Sequence, residues 1–112
     1  MTDLAAPQPD TAVKKSPLPG GVFLGGWRTG PPSALIAVEV WGRRADRVAL
    51  VQIITDAASE DPQTMDAGTA SAGGTDACRV MWTTKAYRAF GEDWLDQAET
   101  EIIRLLAKRW GC

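Results

Sequence analysis

Any chemistry in this chain has to come from carboxylates, lysine, cysteine, arginine or tryptophan, because it contains no histidine and no asparagine. That removes imidazole acid–base catalysis, His-ligated metals and N-glycosylation together. Cys78 and Cys112 lie far apart, with no histidine to complete a soft metal site. Two cysteines are also too few for a disulfide scaffold, so free thiols are expected. The acids Asp56, Glu60, Asp61, Asp66 and Asp76 fall in one segment without the spacing of a calcium-binding loop. Gly20 and Gly25 have the separation of a phosphate loop. Gly26-Trp27 follows, however, where Lys-Ser or Lys-Thr is required, so nothing reaches a β- or γ-phosphate. Glu39 among apolar strand residues and Lys85 at the start of a helical stretch are the least ordinary titratable groups. Both read as solvated side chains. The expectation is no metal, no cofactor and no enzymatic activity, with a small enzyme as the last-ranked alternative.

Tryptophan paired with arginine is the informative combination. The five tryptophans are more than a core of this size hides easily. Trp82 and Trp94 fall on core-facing positions of their segments. The other three sit at element ends beside arginine: Trp27-Arg28, Trp41-Gly42-Arg43-Arg44 and Arg109-Trp110. These two residue types are enriched where proteins bind each other. The candidate binding residues are therefore Trp27, Arg28, Trp41, Arg43, Arg44, Arg109 and Trp110. Aromatic rings with arginine also stack nucleic-acid bases, which gives the alternative of a nucleic-acid accessory protein. The overall charge of −2 and pI near 5.0 oppose a polyanion. The distribution is uneven: residues 21–54 carry +2, residues 77–112 carry +1 and residues 55–76 carry −5.

The elements that must position these residues follow from periodicity. At 112 residues the chain is one domain. Residues 1–20 read as a disordered tail interrupted by Pro7, Pro9, Pro17 and Pro19, with too little apolar surface to offset its ordering entropy. Residues 21–28 read as a short strand weakened by Gly25-Gly26. Residues 34–41 and 47–54 are β-branched runs joined by the polar turn Gly42–Asp46, and predict an antiparallel hairpin. In the first run Ile36, Val38 and Val40 share one face. Leu35, Ala37, Glu39 and Trp41 share the other, which is expected to be partly solvated. Residues 55–76 read as a mobile acidic loop, and residues 77–83 as a further strand.

Residues 85–110 carry Tyr87, Phe90, Trp94, Ala98, Ile102 and Leu105 at spacings of three and four, the stripe of an amphipathic helix. Thr84 is the expected N-cap. Because the stripe stays in phase through Gly91, a continuous or kinked helix is expected. The fold class is α+β: a small antiparallel sheet of three to four strands packed by one long C-terminal helix. No apolar stretch approaches the roughly eighteen residues that span a bilayer, and the N-terminus lacks the pattern of a secretory signal. A cytoplasmic protein with no membrane contact is expected, and the arginine-over-lysine bias points to a bacterial or phage genome. The sequence-level expectation for function is a small non-enzymatic protein that binds another protein or itself, as an assembly component or inhibitor of a larger complex.

Overall fold

The computed structural model describes residues 16–71 and 79–111. Cys78, Cys112, Asp76 and most of the expected tail lie outside the described residues. The fold is a five-stranded antiparallel sheet followed by two helices. The strands are β1 (Val22–Thr29), β2 (Ile36–Arg43), β3 (Val48–Thr55), β4 (Gln63–Ser71) and β5 (Arg79–Trp82), ordered in space as in the chain. The helices are α1 (Thr84–Phe90) and α2 (Glu92–Trp110). Among the described residues, no helix is long and apolar enough to cross a membrane.

The hairpin of β2 and β3 forms as the alternation predicts, with Val38 opposite Ile53 and Val40 opposite Val51 on the buried face. A short 3-10 turn at Pro32–Ala34 separates β1 from β2, with proline at its start where no backbone donor is needed. The sheet has five strands rather than three or four because residues 63–71, read from sequence as part of a loop, pair with β3. The signal is weak there because, apart from Met65, the inward residues of β4 are the small Ala67, Gly68 and Ala70, all buried. Small side chains let α1 approach β4, and small residues do not announce a strand.

Two bulges bend the sheet. In β1 the register slips at Leu24, between Phe23 and Gly25; in β4 it slips at Ala67, between Asp66 and Gly68. Each bulged residue is buried, and each is followed by glycine. At Gly25 a Cβ would stand 2.6 Å from Leu105 Cδ1, so the bulge brings the β1 backbone close beneath α2.

The bend is needed because α2 touches both edges of the sheet. Trp27 of β1 and Ala98 of α2 line one shallow cleft. One residue along the helix, Glu99 accepts a 3.0 Å hydrogen bond from the Val80 backbone N–H of β5. Five strands laid flat span about 19 Å, while a helix with its side chains is only about 10–12 Å across. One helical turn can meet both edges only if the sheet curls toward it. Leu95, Ile102 and Leu106 fill the concave side, fully buried against Val38, Val40, Val51 and Ile53.

The helical region breaks at Gly91, which adopts φ 84° and ψ 161°, so it is two helices rather than a continuous or kinked one. A helical residue needs negative φ, and glycine carries the chain through this corner without a Cβ penalty. The break also takes Tyr87 out of the apolar stripe, leaving it 48% exposed. Thr83 rather than Thr84 caps α1, its hydroxyl accepting from the Ala86 N–H at 3.1 Å. Acidic Glu92 and Asp93 start α2, and Lys108 and Arg109 end it, matching the helix dipole.

Replacing Glu99 tests the edge contact. Glu99→Ala leaves the Val80 N–H without its acceptor and is expected to lower stability by about 1–3 kcal/mol. Glu99→Gln keeps an acceptor oxygen and is expected to lose less. Urea unfolding compares them; equal losses would contradict a role for the hydrogen bond.

Candidate arginine–tryptophan cleft

The candidate site is a cleft of about 360 Å³ where the C-terminus of α2 meets the turn between β2 and β3. Trp110 forms one wall. Gly42 allows it: a Cβ there would stand 2.8 Å from Trp110 Cζ2 and Cη2, so the ring rests against bare backbone. Val22 and Leu24 of β1 add apolar surface. Gly111 ends α2 in the left-handed conformation at φ 72°, its N–H donating to the Ala107 carbonyl at 2.8 Å.

Three arginines line the same space: Arg44 and Arg47 from the turn, and Arg109 from α2. Arg109 Nη2 donates to the Leu24 carbonyl at 3.1 Å, which ties the helix to the bulge of β1. The carbonyls at the end of α2 favour this cation. A guanidinium has five N–H donors, so Arg109 keeps others for a ligand. Among the described residues, no acidic side chain lines the cleft.

The turn itself is braced from the side. Arg43 Nε and Nη2 donate to the two carboxylate oxygens of Asp46, each at 2.9 Å, and Arg43 Nη1 reaches the Pro19 carbonyl at 3.1 Å. The hydrogen bonds from Arg43 hold the Asp46 carboxyl below its usual range, and those to Asp46 raise the Arg43 guanidinium above its own. Asp46 is thereby occupied by Arg43. Arg47 occupies the left-handed region at φ 54°, a conformation costing a side-chain-bearing residue about 1–2 kcal/mol relative to glycine.

The structure thus brings together three of the seven sequence-selected residues: Arg44, Arg109 and Trp110. It separates the other four. Trp41 is 4% exposed, its ring meeting Phe23 edge-on at 5.3 Å between centroids. The alternation of β2 assigns Trp41 to the face away from α2 but does not show that Phe23 lies across from it. Arg43 is spent on the turn. Trp27 is half-buried beside Trp94 and Ala98, on the helix side of the sheet. Arg28 is exposed on the opposite face, in a groove of about 430 Å³ that Glu39 also lines. Sequence reasoning missed Arg47, whose only signal is its place at the end of a four-residue turn.

The register also lines up Phe23, Trp41, Leu50, Thr69 and Met81 in one row across the outer face of all five strands. Met81, at its β5 end, is 76% exposed.

Two measurements test this geometry. Gly42→Ala drives a methyl into Trp110 and Leu24 and is expected to cost about 1–3 kcal/mol in thermal unfolding; an unchanged midpoint would show that the ring does not rest there. The Arg43–Asp46 brace carries a pH signature. A carboxyl lowered in the folded state contributes stability above its unfolded-state pKa, and that contribution disappears as pH falls through the folded value. Stability is therefore expected to fall on acidification through and below the ordinary carboxylate range, with a smaller fall in Asp46→Asn. Identical acid limbs would exclude the brace.

No family model, curated protein or solved structure matches this chain.

Proposed function

We propose that this chain is a small non-enzymatic binding protein that works by contact with another protein, through the cleft of Arg44, Arg47, Arg109 and Trp110. One observation supports the reading above the rest: exposed arginines from two elements distant in sequence converge on one half-buried tryptophan wall, with no acid among the described residues lining the space. Guanidinium and indole groups contribute heavily to binding when a partner desolvates them. The cleft is partly open to solvent and its three arginines are exposed, so a projecting side chain of a partner can reach them. Arg47 adds support, because an arginine is kept at a left-handed backbone position where glycine would be relaxed. An assembly component or an inhibitor of a larger complex both work in this way.

The test is capture from a native-host lysate, with and without nuclease, using the wild-type chain and an Arg44→Gln/Arg47→Gln variant. A stoichiometric protein partner is expected to survive nuclease and to be depleted with the variant. Both substitutions lie in a solvent-exposed turn and are expected to leave the unfolding free energy within about 0.5 kcal/mol of wild type. A partner that disappears with nuclease favours the nucleic-acid reading. A partner retained equally by the variant removes the cleft from the account.

A further inference from the structure

The lining of the cleft narrows the chemistry of what enters it. We infer that it takes an acidic peptide segment, with carboxylates on the arginines and a neighbouring apolar side chain against Trp110 and Val22. This inference rests on the protein-binding reading above and specifies its partner.

Two features of the lining carry it. The first is charge without compensation. Arg44, Arg47 and Arg109 enter the cleft together, and Asp46, the acid in the same turn, is engaged by Arg43. Planar guanidinium groups hold carboxylates through paired N–H donors, and such charge-assisted bonds are the stronger kind. The second is apolar surface in the same space. Val22 is 60% exposed at its rim, and Leu24 and Trp110 line the same space. A site for a bare inorganic anion has no use for that surface, whereas a peptide alternating acidic and apolar residues fills both parts.

Nucleic acid fits less well. A strand-binding groove continues its cations along a backbone path, whereas these arginines cluster at one end of a chain whose net charge is −2. A short peptide carries few charges, so its interaction with the cleft is governed locally rather than by the field of the whole molecule.

The experiment uses the full chain labelled with nitrogen-15 and four probes. These are an acetylated peptide alternating Glu and Phe, the same peptide with Gln for Glu, an oligothymidylate strand and inorganic phosphate. Arginine Nε–H and Trp110 indole resonances report the cleft, assigned through Arg44→Gln, Arg47→Gln and Trp110→Phe. The Glu–Phe peptide is expected to shift both sets saturably. Loss of the carboxylates, or of either turn arginine, is expected to weaken binding by about tenfold or more.

Arg47→Gly is a second variant that keeps the turn, since glycine accepts the left-handed conformation. It is expected to weaken binding to the same degree while remaining folded. Equal binding of the Gln and Glu peptides, shifts confined to other parts of the molecule, or no binding would overturn the inference. Tighter binding of the oligothymidylate would replace it with a nucleic-acid site, and saturation of the same resonances by phosphate alone would reduce it to a small-anion site. If the peptide fails but the host partner is still depleted with the Arg44→Gln/Arg47→Gln variant, only the ligand class is wrong. If the variant retains that partner as well, the protein-binding reading of the cleft fails with it.

Discussion

A sheet of five strands has two edges, and here a single helix reaches both. Within one turn of α2, Ala98 shares a cleft with Trp27 of β1, while Glu99 accepts the free N–H of Val80 on β5. That geometry is available only to a curled sheet, which is why the bulges at Leu24 and Ala67 matter more than their size suggests. Each bends a strand toward the helix and turns an additional residue inward. The curl closes Leu95, Ile102 and Leu106 into a continuous core with the β-branched residues of β2 and β3. At each edge α2 also engages a backbone group, the Leu24 carbonyl of β1 through Arg109 and the Val80 N–H of β5 through Glu99.

The arginine cleft follows from the same docking. Once α2 lies in the curled sheet, its last turn falls beside the turn between β2 and β3. Arg109 binds the carbonyl of the bulged Leu24, and Trp110 lands on Gly42. The site therefore inherits its position from the core. Its cations come partly from a rigid helix end and partly from a turn stiffened by the Arg43–Asp46 pair. That exposed pair adds little stability by itself; its effect is to limit the arrangements of the turn that carries Arg44 and Arg47. A binding surface with its side chains held in advance loses less entropy when a partner arrives.

Local patterns in the sequence reach most of the sheet and three of the four cleft residues, Arg44, Arg109 and Trp110, but not Arg47. β2 and β3 are legible because Val38, Val40, Val51 and Ile53 alternate on a strand period. β4 is hidden because, apart from Met65, its inward positions are Ala67, Gly68 and Ala70, whose size records the closeness of α1 rather than a strand preference. Helical periodicity carries through Gly91 on paper, yet one positive φ redirects the chain. Trp41 and Arg43 resemble Trp110 and Arg44 in composition. Only pairing distinguishes them: Phe23 meets the first and Asp46 the second. Arg47 is the clearest example of information absent from local pattern. Its importance comes from a left-handed backbone angle and from a helix end far away in the chain.

The central claim is that docking of α2 in the curled sheet places Trp110 on Gly42 and so builds the cleft. The most direct measurement is the nuclear Overhauser effect between the Trp110 ring protons and the Gly42 Hα protons in the free chain in solution. Strong cross-peaks are predicted, because an added Cβ at Gly42 would stand only 2.8 Å from the ring carbons. Their absence in a folded chain whose β2–β3 pairing is intact would contradict the account, leaving the arginines without the wall against which a ligand is held.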